Sequence, residues 1–409
     1  MRLAYFSTQM PFPPNHGGRV DDWRRLCALK AAGARIHLVT WCSDRPGERP
    51  EPSHLEALRG VAEVVHVWPI RRTLAERLVR LSRLPFWPSH VASRMPSAEQ
   101  WAALESSLSV FRPEVVWQDG LYPYVVAQRT AQRWGVKRFY RSHNIEHLYF
   151  ARQVARATSL RDRWAWGLNL HRLEEVERRA LGEADAYFDI STDDLAYWQQ
   201  QGYGRGHWLP PLVAPEFASR LSAPRVQPPG FDVGYLGNLN APNNVEGVLW
   251  FVEQVVPRLL KERPQLRVRV AGSQPLEKVR AAVARVPEVT LLENAPDAVE
   301  VLRDARVLVN PVFAGSGVNV KSVEMLFSPA RLVSAPQGVA GLPGHVQACF
   351  AVADEPDAFA AAVLRALDED AASPGELGPE RRRARGEFDF ARMHDVLAVL
   401  ADLAARKVA

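Results

Sequence analysis

The chain of 409 residues has an ordinary globular composition, with 47% hydrophobic and 24% charged residues and a formal net charge of +5. This composition excludes a disordered or low-complexity protein, and the length predicts two domains of roughly 150 to 200 residues each. The three cysteines, Cys27, Cys42 and Cys349, are widely spaced and indicate neither a disulfide framework nor a zinc site. The small positive excess favours anionic partners in general and gives no reason to expect nucleic acid.

The N-terminus predicts a buried strand and no targeting segment. Its first apolar run ends before Pro11, Pro13 and Pro14, so it is too short for a signal peptide. No run approaches 18 apolar residues, and the sequence therefore predicts no membrane-spanning segment. We expect a cytoplasmic protein.

The pattern then alternates between strand and helix. Residues 3–7 predict a strand, 21–32 an amphipathic helix and 35–41 a second strand, which together form a βαβ unit of a parallel sheet. Gly17 and Gly18 fall in the predicted loop after the first strand, where α/β sheets place their ligands. A simple tight turn is the alternative for this glycine pair.

Residues 71–94 combine basic and apolar side chains with a single acid, Glu76. The segment contains Arg71, Arg72, Arg77, Arg80, Arg83, Arg94, Leu74, Leu78, Leu81, Leu84, Phe86 and Trp87. A basic amphipathic helix of this kind is typical of a segment that lies on an anionic membrane surface. The alternative is a solvated helix whose apolar stripe packs on the sheet.

A later predicted strand, 137–140, runs into Arg141-Ser142-His143, which places His143 at a carboxyl end of the sheet. A lone histidine is more often a satisfied hydrogen-bonding residue than a catalyst. His147 lies one helical turn further and is expected to be structural. The two histidines have the spacing of a metal-binding pair, but no third ligand is evident, so no metal site is predicted.

The first domain is predicted to span 1–213, followed by a proline-rich linker at 214–230 and a second domain at 231–387. Apolar periodicity near the C-terminus predicts a helix at about 388–409. Strands in the second domain are expected at 232–236, 266–271, 289–292, 307–310, 331–334 and 350–353. The intervening helices make this a second doubly wound α/β sheet.

The stretch 307–326 reads as a strand, a glycine-bracketed loop and a helix. Gly315 and Gly317 leave the backbone N–H groups accessible, and the helix N-terminus adds partial positive charge, which suits a phosphate or diphosphate. Lys321 adds a full charge. Glu324 lies on the same helix face, where a carboxylate can accept hydrogen bonds from a ribose. The loop matches no P-loop or Gly-x-Gly-x-x-Gly fingerprint, and a glycine turn without a ligand is the alternative.

Three stretches resemble the family 4-like retaining glycosyltransferases of the GT-B fold, especially the bacterial exopolysaccharide subgroup. They are Gly315-Ser316-Gly317-Val318-Asn319-Val320-Lys321-Ser322-Val323-Glu324, Gly338-Val339-Ala340-Gly341-Leu342 and Gly237-Asn238-Leu239-Asn240. The resemblance implies two Rossmann-like domains facing across a cleft, with the C-terminal helix crossing back to the first domain. It also implies a hexosyltransferase-type enzyme (EC 2.4). Such an enzyme moves a sugar from a nucleotide-sugar donor to a glycan, lipid-linked or small-molecule acceptor, with retention and without a metal or other cofactor.

The resemblance assigns roles to individual residues. It implies His143 and Lys321 as catalytic residues, with His143 against the donor sugar and Lys321 on the departing diphosphate. The implied donor-binding residues are Gly17, Gly18, Asn238, Asn240, Gly315, Ser316, Gly317, Val318, Asn319, Val320 and Glu324. Family members usually carry a glutamate where this chain has Ser316. Many also carry an arginine and a lysine on the diphosphate where this chain has asparagines.

Two other classes of protein remain open. A non-catalytic GT-B-like partner subunit is favoured by Ser316 and by the basic helix. A sugar-nucleotide epimerase shares the fold but requires acid and base residues that the sequence does not reveal. The expected partners are a nucleotide-diphosphate sugar, a glycan or lipid-linked acceptor and, through 71–94, an anionic membrane. This last partner would place the protein on the inner face of the membrane.

Overall fold

The computed structural model describes residues 1–15, 17–44, 49–70, 73–157, 159–225 and 227–405. The chain forms two compact units. The first contains Met1–Pro210 together with the C-terminal segment from Phe390, and the second is Pro211–Asp389. Among the described residues, every helix is too short or too polar to cross a bilayer.

The first unit is built on a seven-stranded sheet in the order β3-β2-β1-β4-β5-β6-β7, with all neighbours parallel. Its strands are β1 (Arg2–Ser7), β2 (Arg35–Ser43), β3 (Val64–Ile70), β4 (Val115–Asp119), β5 (Lys137–Ser142), β6 (Ala186–Asp189) and β7 (Gly206–Trp208). Helices cover both faces of this sheet, and residues 3–6 of the central strand β1 are completely buried.

The helices of this unit alternate with its strands. They are α1 (Gly17–Ala31), α2 (Pro52–Val61), α3 (Leu74–Arg83), α4 (Ser89–Ala92), α5 (Ala98–Phe111), α6 (Tyr124–Trp134), α7 (Glu146–Arg156), α8 (Leu160–Leu170), α9 (Leu173–Gly182) and α10 (Thr192–Gln200). Since β1 lies between β2 and β4, the strand order reverses there. The carboxyl ends of β1 and β4 therefore open a crevice of the kind that binds ligands.

The second unit contains a six-stranded parallel sheet in the order β10-β9-β8-β11-β12-β13. Its strands are β8 (Phe231–Asn238), β9 (Val268–Ser273), β10 (Val289–Glu293), β11 (Ala305–Asn310), β12 (Arg331–Ser334) and β13 (Ala351–Val352). Here the order reverses at β8, which lies between β9 and β11. The two sheets confirm the predicted pair of doubly wound α/β units.

The helices of the second unit are α11 (Pro215–Ser222), α12 (Pro242–Trp250), α13 (Val256–Glu262), α14 (Glu277–Ala284), α15 (Ala298–Arg303), α16 (Val320–Phe327), α17 (Pro336–Val339), α18 (Gly344–Gln347), α19 (Pro356–Ala372) and α20 (Pro379–Arg385). A π-helical turn, Phe251–Val255, joins α12 to α13. The last helix, α21 (Arg392–Ala405), packs on α1 and β5 of the first unit, with Met393 and Leu400 buried. The C-terminal helix therefore returns to the first unit, as the resemblance implied. Its predicted extension over 406–409 lies outside the described residues.

Two boundaries differ from the sequence-based expectations. Gly17 and Gly18 form the first turn of α1 instead of a loop, because glycine accepts helical dihedral angles as readily as turn angles. The segment 214–230, predicted as a linker, contains α11. Pro215 occupies a favourable first helical position there, and Leu221 is completely buried.

Candidate functional site

The loop between β11 and α16 lies beside the point where the strand order of the second sheet reverses. It carries the predicted donor-binding residues of 315–320. Gly317 has a φ angle of +64°, in the left-handed region that favours glycine. The side chain of Asn319 accepts a hydrogen bond of 3.1 Å from the backbone N–H of Lys321 and so caps α16. The local sequence therefore produces a helix N-terminus of the kind that binds anions.

Lys321 lies in the first turn of α16, partly buried, with its ammonium against the neighbouring strand and helix. Its Nζ atom is 4.3 Å from the centroid of the Tyr235 ring and 3.4 Å from Oδ1 of Asn244. Burial lowers the pKa of Lys321 to about 7, against the opposing charge of Glu324. A diphosphate at this position would favour the charged form, because a nearby anion stabilises an ammonium.

The loop after β8 brings its asparagines to the same place. Asn244, which contacts Lys321, donates from Nδ2 to the backbone oxygen of Asn238 over 3.0 Å. The side chain of Asn238 accepts from the backbone N–H of Asn240 over 2.9 Å. The structure thus joins Asn238, Asn240 and Lys321 through Asn244, another of the asparagines that follow β8.

A buried polar chain below the loop holds α16 against the sheet. Asn310 donates to the hydroxyl of Ser322 over 2.7 Å, and that hydroxyl donates to the backbone oxygen of Gly338 over 2.6 Å. A Cβ atom on Gly338 would lie 2.7 Å from Nδ2 of Asn310, so this position requires glycine. The resemblance included Gly338, but the sequence alone gave no structural reason for it.

The opposite end of α16 is held by Arg381, which sequence reasoning missed. This buried guanidinium donates to the backbone oxygens of Leu326, Ala330, Met325 and Ser328 at 2.9, 2.6, 2.7 and 2.8 Å. These include carbonyls that the end of a helix leaves without an intrahelical partner. The arginine-rich run 381–385 was the only signal of this cap in the sequence.

In the first unit, a buried ionic cluster occupies the carboxyl edge of the sheet. Arg25 of α1 lies 2.7 Å from Asp21 and from Asp22, and 2.8 Å from Asp119 at the end of β4. Each of these four side chains is at most 4% exposed. The helix that begins with Gly17 and Gly18 therefore carries charged residues into this edge.

His143 follows β5 and completes the cluster. Its Nε2 atom lies 2.5 Å from Oδ1 of Asp119, and the side chain is 20% exposed. Asp22 and Asp21 are further from the ring, at 3.6 and 3.7 Å. The second histidine, His147, instead contacts Glu177 over 2.6 Å, so the two histidines do not form a metal-binding pair.

The pKa values of the three carboxyl groups in this cluster are shifted in different directions. Burial works to raise the pKa of Asp119, but Arg25 and His143 hold it well below its usual range. Burial and repulsion from Asp119 raise the pKa of Asp22 well above its usual range. Asp21 has a lowered pKa, because Arg25, Arg141 and His143 together outweigh its burial. Within this cluster the charged form is therefore most favoured at Asp119 and least favoured at Asp22.

Asp21, Asp22 and His143 offer atoms within 4.8 Å of one another, a spacing that a metal ion can accept. However, Arg25 already lies 2.7 Å from an oxygen of each aspartate. A metal ion would have to compete with this buried guanidinium for the same carboxylates. The residues present therefore fit an internal ion-pair network better than a metal centre.

Comparison with known proteins finds a family model that matches part of the second unit. Residues 230–369 match the family model described as Glycosyl transferases group 1. An uncharacterized 44.6 kDa protein in the cps region of Klebsiella pneumoniae is 22% identical over 350 residues, covering 83% of this chain and 84% of that protein.

Solved structures share the fold over the whole chain. Sucrose-phosphate synthase from Thermosynechococcus elongatus aligns with a TM-score of 0.63 at 14% identity, covering 98% of each chain. HepE of Anabaena in complex with UDP aligns with a TM-score of 0.62 at 14% identity, covering 98% of this chain and all of that one. The second unit thus contains a group 1 glycosyl transferase domain, and the chain is a glycosyltransferase with the GT-B fold.

Proposed function

We propose that this glycosyltransferase moves a hexose from a nucleoside-diphosphate sugar to a polysaccharide precursor or other glycan acceptor, with retention of configuration and without a metal ion. The observation that carries the proposal is the position of Lys321 at the capped N-terminus of α16. Supporting it, HepE forms complexes with UDP and with UDP-glucose, and the Klebsiella relative is a protein of the cps region. Retention and a family 4-like mechanism rest on the resemblance of 315–324.

The proposed chemistry needs a cation where the leaving group develops charge. Glycosyl transfer passes through an oxocarbenium-like transition state, with a nucleoside diphosphate departing from the anomeric carbon. Lys321 in its charged form and the N–H groups of 317–320 supply positive charge for that diphosphate, which is the role that a metal ion plays elsewhere. Glu324, in the second turn of α16, is proposed to accept hydrogen bonds from the ribose. His143 is proposed to act on the sugar during transfer.

A combined binding and turnover experiment tests this function. Nucleotide sugars are first screened by thermal shift, and release of free nucleoside diphosphate is then measured with and without an acceptor. The proposal expects release only when an acceptor is present, and Glu324→Gln should weaken nucleotide affinity more than turnover. A protein that binds nucleotide without release would be a partner subunit. A protein that changes the sugar without an acceptor would be an epimerase.

We also propose that the acceptor is held at an anionic membrane surface that α3 contacts. None of the residues of α3 is buried, and Leu74, Leu78 and Leu81 are 74%, 58% and 56% exposed. Two of its arginines face the protein instead: Arg80 donates to the hydroxyl of Ser89, and Arg83 donates to the backbone oxygen of Ala92 over 3.1 Å. The apolar face is therefore turned outward, against the alternative of a stripe packed on the sheet.

With α3 in this orientation, apolar side chains more than arginines are expected to contact the membrane. Arg94 lies over the Tyr122 ring at 5.1 Å, and Arg71 and Arg72 lie outside the described residues. Three of the six arginines of 71–94 therefore contact the protein itself, namely Arg80, Arg83 and Arg94. The leucines and Phe86, which is 64% exposed, become the main contacts, and Arg77 adds charge on the exposed surface of α3. The protein would then lie on the cytoplasmic face of the membrane.

A further inference from the structure

We propose that Asp119 is the positioning residue for His143, and that Arg25 in turn holds Asp119 in place. In this arrangement the carboxylate of Asp119 keeps a proton on Nε2 of His143 and fixes the plane of the ring. The inference rests on the proposed role of His143 in sugar transfer. The pairing itself, however, is a property of the folded protein that can be measured without a substrate.

The carboxylate of Asp119 has hydrogen-bond donors at both of its oxygen atoms, more than one ion pair would supply. Its Oδ1 atom lies 2.5 Å from Nε2 of His143 and accepts from Nη2 of Arg25 over 3.0 Å. Its Oδ2 atom accepts from Nε of Arg25 over 2.9 Å and from the hydroxyl of Tyr5, with the indole nitrogen of Trp117 at 3.4 Å. Donors therefore surround both oxygens, which leaves the carboxylate one orientation.

Asp119 is the carboxylate that orients the His143 imidazole, because Asp21 and Asp22 lie further from the ring. Asp21 and Asp22 are each bound by a separate nitrogen of Arg25, and both are more than 1 Å further from the ring than Asp119. A single guanidinium thus spaces three carboxylates and leaves only Asp119 within hydrogen-bonding distance of His143.

The backbone around Asp119 is also fixed. Thr8 donates from its hydroxyl to the backbone oxygen of Asp119 over 2.7 Å, and its N–H donates to the same oxygen over 3.1 Å. Gly120 has a φ angle of +78°, and a Cβ atom there would collide with the Thr8 hydroxyl and lie 3.7 Å from the His143 ring. The backbone next to the His143 ring is therefore fixed, while the exposed fifth of the His143 side chain remains open to solvent.

The first test uses the unmodified full-length protein. Proton NMR of histidine-labelled protein should show a hydrogen-bonded Nε2 proton, downfield of the amide region, that disappears in His143→Gln. The same signal should be lost in Asp119→Asn and kept in Tyr5→Phe, a matched variant that removes one donor to Asp119 without touching His143. Absence of such a proton in the unmodified protein would overturn the proposal, whether or not the protein transfers sugar.

The second test separates positioning from stability. Asp119→Asn should lower turnover tenfold or more while nucleoside diphosphate affinity stays within about twofold, since the lost orientation matters in the transition state. In a His143→Ala background, Asp119→Asn should cost nothing further in turnover. Additive losses in the double variant would contradict an action through His143. If no nucleotide sugar is turned over by the unmodified protein, the proposed function fails and the NMR result still decides the pairing.

Discussion

The ammonium of Lys321 lies 4.3 Å from the centroid of the Tyr235 ring, on the central strand β8 of the second unit. Among the described residues, the buried hydroxyl of Tyr235 has no hydrogen-bond partner. An unsatisfied buried hydroxyl costs free energy, so this tyrosine contributes chiefly through its ring. The ring face attracts a cation and provides Lys321 with a defined resting position.

Substitutions at Tyr235 should separate the ring from the hydroxyl. Tyr235→Phe keeps the ring, and we expect nucleoside diphosphate affinity to be unchanged and folding stability to be equal or higher. Tyr235→Leu removes the cation–π contact, worth about 1 kcal/mol, so affinity should fall roughly fivefold. Calorimetric titration of both variants with the same nucleotide measures this. Equal affinities in the two variants would show that the ring does not support Lys321.

Replacing Lys321 should affect turnover more than nucleotide binding. Lys321→Ala removes a cation that stabilises charge on the leaving diphosphate, and we expect turnover to fall about a hundredfold or more. Lys278→Ala is the matched control, because Lys278 is an exposed lysine on α14 of the same unit. Steady-state kinetics beside calorimetry provide the two readouts. Normal turnover in Lys321→Ala would remove the main support for the proposed donor site.

Nucleotide affinity should depend on pH through Lys321. Burial lowers its pKa to about 7, so the free protein loses the ammonium as the pH rises above that value. Binding an anion then requires proton uptake, and affinity should fall by up to about tenfold per pH unit between roughly pH 7.5 and 8.5. The diphosphate is itself fully ionised over this range, since its last pKa is about 6.

Calorimetry in two buffers of different ionisation enthalpy measures this proton uptake directly. Lys321→Met should bind more weakly with a flat pH profile, whereas Lys278→Ala should keep the slope of the unmodified protein. A flat profile in the unmodified protein would mean that Lys321 is already charged before the nucleotide binds.

The cap on α16 should make Arg381 a major determinant of stability. Arg381→Met would leave several buried carbonyls at the end of α16 without donors, which should cost about 3 kcal/mol of unfolding free energy in the second unit. Arg383→Met, on the exposed side of the same helix α20, should change stability by less than about 0.5 kcal/mol. Urea unfolding, with hydrogen exchange of the α16 amides, checks both. Similar stabilities for the two variants would contradict the cap.

Membrane binding should depend on the outward leucines of α3. The unmodified protein should co-sediment with vesicles of phosphatidylcholine and phosphatidylglycerol at low salt. Replacing Leu74, Leu78 and Leu81 by glutamine should lower the partition coefficient about tenfold or more, because three apolar side chains lose their burial. Val110→Gln is the control, since Val110 is 85% exposed on a different helix, α5. If the unmodified protein does not co-sediment with these vesicles, the proposed membrane contact through α3 is wrong.

Much of the architecture could be predicted from local pattern alone. Strand and helix alternate in the sequence with the periods of a parallel α/β protein, and the strand expected at 307–310 falls within β11. The carboxyl ends of parallel strands share one edge, so a residue that follows a strand is predictably near a crevice. This reasoning correctly placed His143 after β5 and Lys321 in the first turn of α16. Their chemical roles stay predictions.

Local pattern could not decide which way a surface helix faces. The spacing of leucines in 74–81 predicts an apolar stripe, but periodicity is the same whether that stripe is turned inward or outward. Only the folded chain shows that Arg80 and Arg83 take the inner side. The start of α1 at Gly17 and the helix in the expected linker are similar cases, since glycine and proline are compatible with both helix ends and turns.

The sequence by itself therefore determined the two α/β units, the glycine loop and the residues that follow the strands. Only the tertiary structure decided their partners. Arg25 and Asp119 are 94 positions apart, and Lys321 and Asn244 are 77 apart, yet each pair is in contact. Parallel sheets join strands through long crossovers, so residues at one edge are brought together by strand order and not by sequence spacing. Burial in the folded protein then shifts the pKa values of charged residues, which the sequence shows only as part of its composition.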